Sequence, residues 1–330
     1  MKRIVSFFGD ITPTFEMLNR QAEAYAAELG FEYQWAPQIP FNQSDVVEKL
    51  NHADAGVIDV EPYGEEIFST ISAKLLVRFG VGYDKVDLAS ATRHGIAVAR
   101  TTGANTMGVA EMALTLLLAA RRELASNIAC VRNGEWVKNV SNETVGATIG
   151  ILGFGAIGRA LAGLLRGFGS SLIAYDPFPD EEAGHDLGVR FVGLDELFET
   201  ADAISVHAPY SPETHHLVNA ERLAKMKSEA VIVNTARGGI VDTDALYDAL
   251  KAKRIRGAGL DVYAIEPLPV SSKLLELDNI VLTPHVSSQT VESLWRIYKM
   301  AIDIAADFFA GRGSPHILNP EFINSDCSSC

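Results

Sequence analysis

The chain has 330 residues, 48% of them hydrophobic and 21% charged, with a formal net charge of −14. That length exceeds one comfortable core, so two domains are expected. The acidic balance argues against nucleic acid and anionic membrane surfaces as partners, yet it leaves room for a local cationic site that takes an anionic substrate.

The N-terminal run from Met1 to Asp10 is too short in its apolar part for a signal peptide and reads as a first strand. The longest apolar run, Met112 to Ala120, cannot span a bilayer, so no membrane attachment is expected. From there strand-like runs alternate with helical patterns, which predicts an α/β fold with parallel sheets. In chain order the elements are a strand at 3–8, a helix at 14–29, a strand at 56–58, a helix at 65–71 and a strand at 74–77. A long helix follows from about Asn105 to Arg122, with Ala110, Ala113, Leu114 and Leu117 on one face. A strand enters the glycine motif at Ile149 and another ends at Asp176. Further strands are expected at 189–192, 203–206, 230–233, 258–262 and 280–283. Those make about seven strands, enough for a doubly wound sheet. The last helix is expected at 291–310, with Leu294, Ile297, Ala301, Ile304 and Phe308 on one face and Gly311 as its C′ residue. It lies beyond the last strand of that sheet, so the chain is expected to return to the first domain.

The cysteines are Cys130, Cys327 and Cys330, an odd and sparse count that implies a reducing cytoplasm. Cys327-Ser328-Ser329-Cys330 has C-x-x-C spacing, but it has no second pair and no neighbouring His. It reads as a frayed terminus, and no metal is expected.

The stretch from Ile149 to Gly158 carries Gly153-Phe154-Gly155-Ala156-Ile157-Gly158, a G-x-G-x-x-G turn after an apolar strand. Leu161, Leu164, Leu165 and Phe168 then recur at helical spacing, and a second apolar run ends in Asp176, 18 positions after Gly158. The glycines alone are a common turn. The strand, helix and acid in the right places make it a dinucleotide fingerprint. Gly153 permits the tight turn, Gly155 lets the backbone approach a pyrophosphate, and Gly158 lets the helix pack on the strand. The helix N-terminus offers N–H groups to the phosphates. Asp176 can accept hydrogen bonds from ribose hydroxyls and repels a 2′-phosphate. The following Pro177-Phe178-Pro179-Asp180 adds no cation, so NAD is favoured over NADP.

Three polar residues sit just past predicted strands: Arg237, Glu266 and His285. Open α/β sheets place their ligand crevice at those strand ends. Arg can grip a carboxylate and polarise the neighbouring carbonyl. His can pass a proton to the oxygen as hydride reaches carbon. A carboxylate beside it favours imidazolium. Spacing alone leaves open a plain Arg237–Glu266 ion pair and a His285 bonded in a loop. His207 could border the cofactor, whereas His215 and His216 read as solvated.

These stretches resemble the D-isomer-specific 2-hydroxyacid dehydrogenase family over nearly the whole chain. The matching segments are Arg78 to Leu88, Thr102 to Glu111, the glycine motif, Asn234 to Gly238, Gly259 to Pro269 and Thr283 to His285. The resemblance implies an NAD-dependent oxidoreductase acting on a 2-hydroxy or 2-keto acid. His285, Glu266 and Arg237 would be its catalytic set. Arg78 and the backbone around Val81 and Gly82 would hold the substrate. Cofactor contacts would come from Gly153, Gly155, Ala156, Ile157, Gly158, Asp176, Ala208, Thr235, Ala236 and Asp261. It further implies a Rossmann nucleotide domain at 102–287 and a smaller flavodoxin-like substrate domain at 1–101 and 288–330, with a homodimer formed through the nucleotide domains.

Within the family the chain looks most like short-form D-3-phosphoglycerate dehydrogenases, without a regulatory domain. Two departures stand out. Phosphoglycerate dehydrogenases often carry an Arg just after the strand at 56–58, whereas here Asp59-Val60-Glu61 is acidic and repels a phosphate. Ser287-Ser288 follow His285 where Gly or Ala is usual. The other readings are a glyoxylate or hydroxypyruvate reductase, and an NAD-sensing binding protein. The second stands because the C-terminal-binding-protein corepressors resemble the same family and keep the same three residues.

Overall fold

The computed structural model describes residues 1–322, and the Cys327–Cys330 pair lies outside the described residues. The chain forms two compact units, one from Met1–Asn105 and the segment beginning at Thr290, the other from Thr106–Gln289.

The first unit opens with β1 (Lys2–Ser6), α1 (Pro13–Glu28), β2 (Phe31–Trp35), α2 (Gln43–Asn51) and β3 (Ala55–Ile58). It continues with α3 (Glu65–Phe68), β4 (Leu75–Arg78), α4 (Leu88–Arg93) and β5 (Ala97–Arg100). The strands pair in parallel in the order β2-β1-β3-β4-β5. That is the flavodoxin-like order of a doubly wound sheet. Its inner strands are buried on both faces, which is why Ala55-Gly56-Val57-Ile58 and Leu75-Leu76-Val77 read as continuous apolar runs. α1 starts where Thr12 Oγ1 accepts the Phe15 N–H and Pro13 occupies the first turn.

The second unit contains α5 (Thr106–Arg121), α6 (Leu124–Arg132), β6 (Thr148–Leu152), α7 (Ala156–Leu165), β7 (Ser171–Tyr175), α8 (Glu181–Leu187) and β8 (Val189–Phe191). Then come α9 (Leu194–Thr200), β9 (Ala203–Val206), α10 (Ala220–Lys225), β10 (Val231–Asn234), α11 (Thr243–Lys251), β11 (Gly257–Leu260) and β12 (Ile280–Leu282). The seven-stranded sheet runs β12-β11-β10-β9-β6-β7-β8, all parallel. The chain winds outward from β6 in one direction and resumes at β9 in the other, so the β6–β9 boundary is the topological switch point where such sheets bind ligands. Leu152 and Asn234 both pair with Val206, so the loops after these three strands start at one level.

The chain closes in the first unit with α12 (Val291–Phe309). Thr290 caps it through the Ser293 N–H at 3.1 Å, and Gly311 follows with φ +69°. α12 buries Leu294, Ile297, Tyr298, Ala301, Ile302 and Ile304 in one core with Phe8, Phe15, Leu18 and Phe79. Among the described residues no helix is long and apolar enough to cross a membrane.

Candidate active site

The turn after β6 is built by close approach. Gly153 has φ +96°, and a Cβ there would lie 2.6 Å from the Ala208 nitrogen. A Cβ on Gly158 would lie 2.4 Å from the Gly153 carbonyl oxygen, so the first turn of α7 rests directly on the loop. Around Gly155 there is open space, and no side chain caps α7. The helix start therefore presents its N–H groups, including those of Ala156 and Ile157, to whatever occupies that space.

Asp176 follows β7. Its Oδ2 accepts the Phe154 N–H at 2.8 Å and its Oδ1 the Phe178 N–H at 2.9 Å. Two bonds fix the carboxylate and leave lone pairs on both oxygens for ribose hydroxyls. The fold brings one cation beside this loop that the sequence did not single out. Arg159 bonds the Phe154 carbonyl through Nε at 3.1 Å and pairs with Asp180 at 2.9 Å. Asp180 thus engages the cation that could have received a 2′-phosphate. A guanidinium directly after the last glycine of the motif was the available signal.

Across the switch point, Ala208 is buried against Gly153. His207 bonds Ser205 Oγ through Nε2 at 2.8 Å, and burial pulls its imidazole down to about 4, so the ring is neutral. Its Nδ1 and the Thr235 Oγ1 are buried atoms with no hydrogen-bond partner. Buried polar atoms are rarely left so. Two of them at adjoining strand ends of the switch point, together with the open space around Gly155 at the start of α7, fit a dinucleotide that carries its own polar groups.

The loop after β10 is folded by Asn234. Its amide donates to the Arg237 carbonyl at 2.9 Å, and its Oδ1 accepts the Ala236 N–H at 2.9 Å. Arg237 Nη1 donates to the Ala236 carbonyl at 2.7 Å. A Cβ on Gly238 would fall 1.9 Å from the carbonyl carbon of Tyr263, so this loop lies hard against the one that carries Glu266. Tyr263 in turn donates its N–H to Glu266 Oε1 at 2.9 Å and its hydroxyl to the Thr283 carbonyl at 2.9 Å.

Glu266 Oε2 meets His285 Nδ1 at 2.8 Å, and both side chains are partly exposed. Burial pushes the Glu266 carboxyl up, but bonds from His285 and the Tyr263 N–H, with the charges of His285 and Arg237, outweigh it and hold the group below its usual range. His285 sits at φ +53°, and its N–H donates to the Asp261 carbonyl at 2.8 Å.

Asp261 is fully buried at the end of β11. Its Oδ1 accepts Thr283 Oγ1 at 2.6 Å and the Val286 N–H at 2.9 Å. Its Oδ2 accepts the Ser287 N–H at 2.9 Å and the Ser287 hydroxyl. With four donors on two oxygens, the carboxylate is spent inside the protein on the segment that carries His285. Ser287 is a working partner there, more than a small residue tolerated in place of Gly or Ala. His216 is likewise not simply solvated. It is half-buried at φ +49°, stacks on His215 at 3.9 Å, and donates its N–H to the Gly239 carbonyl at 2.9 Å.

In the first unit, Gly80 has φ +113° and its N–H donates to Thr101 Oγ1 at 2.8 Å. The Val81 and Gly82 N–H groups have no hydrogen-bond partner among the described residues. Arg100, missed in the sequence, donates from Nη1 to the Val81 carbonyl at 3.3 Å and lies over the Tyr83 ring. Arg78 bonds the Phe79 carbonyl and faces Asp59 electrostatically.

Fold and cofactor turn together define a nicotinamide-dinucleotide oxidoreductase. Residues 114–287 match the NAD binding domain of the D-isomer specific 2-hydroxyacid dehydrogenases. Glyoxylate reductase of Korarchaeum cryptofilum is 36% identical over 297 residues, covering 88% of this chain and 90% of that one. Hydroxypyruvate reductase of Thermotoga maritima is 42% identical over 228 residues, covering 68% and 74%. D-3-phosphoglycerate dehydrogenase of Synechocystis is 42% identical over 272 residues, 78% of this chain but 48% of its own length. Among solved structures, D-lactate dehydrogenase of Escherichia coli superposes with a TM-score of 0.84 at 29% identity, covering 96% and 100%. An NAD-bound formate dehydrogenase of Staphylococcus aureus gives 0.81 at 32%, covering 96% and 99%. The chain belongs to the D-isomer specific 2-hydroxyacid dehydrogenase family. It is an NAD-dependent enzyme that acts on a small 2-hydroxy or 2-keto acid.

Proposed function

We propose that the enzyme reduces a small, non-phosphorylated 2-keto acid of the glyoxylate or hydroxypyruvate type, with His285, Glu266 and Arg237 as its catalytic set. The observation that carries this is the 2.8 Å His285–Glu266 bond beside the Arg237 loop, on three adjacent strands of the NAD-binding sheet. NAD, when bound, supplies or takes the hydride. Glu266 occupies Nδ1 of His285, which fixes the ring and leaves Nε2 for the substrate oxygen. In reduction the Nε2 proton goes to that oxygen as negative charge develops on it. In oxidation the neutral ring takes the hydroxyl proton back at the same atom. Arg237 grips the carboxylate and polarises the carbonyl. The first unit offers Arg78 and the N–H groups of Val81 and Gly82 to the substrate. Gly153, Gly155, Ala156, Ile157, Gly158, Asp176, Ala208, Thr235 and Ala236 contact NAD. Asp261 acts from behind by holding the His285 segment. The acidic Asp59-Val60-Glu61 turn supports a substrate without phosphate.

A homodimer through the second unit belongs to the same proposal. α6 and the segment after it expose Leu124, Ile128, Val131, Trp136 (81%) and Val140 (86%), an apolar strip of the kind that marks an interface. The free, buried Cys130 accords with a cytoplasmic setting. The deciding experiment is a panel of small 2-keto acids, with and without phosphate, followed by NADH absorbance. Turnover of glyoxylate or hydroxypyruvate is expected. Efficient use of 3-phosphoglycerate alone would overturn the substrate class. No turnover with any keto acid would leave an NAD-sensing binding protein.

A further inference from the structure

The turn after β4 is held from several sides by groups of the first unit. The Phe79 N–H donates to the Ile58 carbonyl at 2.9 Å, and Arg78 Nη1 donates to the Phe79 carbonyl. The Gly80 N–H donates to Thr101 Oγ1 at 2.8 Å. The Gly80 carbonyl accepts the Thr101 N–H at 3.2 Å and the Thr101 hydroxyl at 3.4 Å. Arg100 Nη1 reaches the Val81 carbonyl at 3.3 Å. Among the described residues, each backbone N–H and C=O from Phe79 to Val81 is thus engaged except the Val81 N–H, which stands open next to that of Gly82.

The turn does not keep that pattern by itself. Gly80 lies at φ +113°, and the glycines on both sides of Val81 give the segment more backbone freedom than other residues would. The shape is imposed from β5. Thr101 follows that strand and is fully buried, and its hydroxyl makes two bonds to one glycine, accepting from the N–H and donating to the carbonyl. β5 is the outer strand of its sheet, and residues 316–319 close its free edge. The Leu318 N–H donates to the Val98 carbonyl at 2.7 Å, and the Arg100 N–H to the His316 carbonyl at 3.1 Å. Asn319, also fully buried, accepts the Val98 N–H at 2.7 Å and donates to the Ile96 carbonyl at 2.9 Å and to Thr92 Oγ1 at 3.0 Å. A sheet edge without such bonds is where local opening begins.

We propose that Thr101 is a positioning residue for the substrate: its hydroxyl fixes Gly80 so that the Val81 and Gly82 N–H groups stand ready as one anchor for the carboxylate, and residues 316–319 hold β5 at the level this requires. It rests on the reading above that these two N–H groups take the acid. Successive backbone N–H groups make a concavity suited to an anion, and donors set in advance lose little freedom when it binds. Without the hydroxyl the buried Gly80 N–H has no acceptor. The turn then rotates to find one, and the two open N–H groups rotate with it. The loss falls on the grip of the carboxylate, which is the same before and during hydride transfer. KM therefore rises while kcat stays.

The test uses the purified full chain with Thr101→Val, which keeps the shape and removes the hydroxyl, and Thr101→Ser, which keeps the hydroxyl. The readouts are kcat and KM for glyoxylate and hydroxypyruvate at saturating NADH, and the Kd of NADH by fluorescence. Thr101→Val should raise both keto-acid KM values about tenfold, with kcat and the NADH Kd within about twofold of wild type. Thr101→Ser should bring KM back to within about twofold. Asn319→Ala should show the same split at about threefold, and an unchanged KM there overturns the part given to residues 316–319. The wild type carries the test even if the variants do not fold. In amide hydrogen exchange, Gly80 should be protected in the free enzyme, whereas Val81 and Gly82 should become protected only with NADH and oxamate, a carboxylate analogue. A Gly80 amide that exchanges as fast as its two neighbours overturns the positioning. So does a Thr101→Val enzyme with wild-type KM, or one that loses kcat at constant KM. Each of these leaves the dehydrogenase reading standing, because the wild type still turns over. A wild type that reduces no keto acid overturns both.

Discussion

Glu266→Gln removes one charge from the pair with His285 and keeps the shape of the side chain. The nitrogen–oxygen separation is 2.8 Å, and both groups are partly exposed. At that spacing a unit charge pair is worth about 1.5 kcal/mol in bulk water and several times that at a protein surface, so screening leaves roughly 1–2 kcal/mol. One pH unit corresponds to about 1.4 kcal/mol, so the effect should be about one unit. Reduction needs imidazolium, which ionised Glu266 stabilises. Reduction is therefore lost as pH rises, and the variant should lose it about one unit earlier. Oxidation needs the neutral ring, so its acidic limb should move down by the same amount. The glutamate titrates below its usual range, so in the wild type it stays charged across both limbs. The amide keeps one acceptor, so either the His285 or the Tyr263 bond can persist. The assay is kcat/KM against pH in both directions with saturating cofactor. If both limbs stay in place, Glu266 is a structural partner of the Arg237 loop and the coupling is wrong.

NADH should be preferred over NADPH by more than about tenfold in kcat/KM, about 1.4 kcal/mol. Asp176→Ala should narrow that gap mainly by weakening NADH, while Asp180→Ala should narrow it by releasing Arg159 to a 2′-phosphate. Equal use of both cofactors by the wild type would sink the idea. Asp261→Ala removes the acceptor of four donors, of which the Ser287 N–H and hydroxyl are buried and the Thr283 and Val286 groups partly so, which costs about 3 kcal/mol. A melting temperature lower by roughly 6–12 °C is expected by calorimetry, and a fall under about 2 °C would refute the clamp. Trp136→Glu combined with Val140→Glu should convert a dimer to a monomer in sedimentation, whereas a monomeric wild type would refute the interface. His285→Ala should lose roughly a hundredfold or more in both directions while still binding NADH. Residual activity within tenfold would move the proton transfer elsewhere.

What was legible in the sequence followed burial. β3, β4, β9 and β10 lie inside parallel sheets and announce themselves as apolar runs within a residue or two of their observed ends. β2 carried a period-2 pattern in Phe31, Tyr33 and Trp35, but half-exposed edge strands compete with the helix pattern just before them. β5 is Ala97-Val98-Ala99-Arg100, too small-sided to stand out, and α6 turns apolar residues outward, which inverts the usual amphipathic signal. The glycine turn and the three strand-end residues were readable because each depends on local chemistry at a fixed offset. The Asp261 clamp and the Asp180–Arg159 pair were not. Each joins residues from different strands or loops, and only the sheet order brings them together.

The first unit's core is not complete in the first hundred residues. Phe8, Phe15, Leu18 and Phe79 wait for Leu294, Ile297, Tyr298 and Ala301. The second unit needs only the contiguous stretch from Thr106 to Gln289. On a ribosome the chain emerges from its N-terminus, and domains fold as units. The cofactor-binding half can therefore finish before the half that began first, which must hold an open apolar face until α12 appears. Shortening the chain within α12 would accordingly cost the N-terminal sheet its partner while leaving the nucleotide-binding sheet whole.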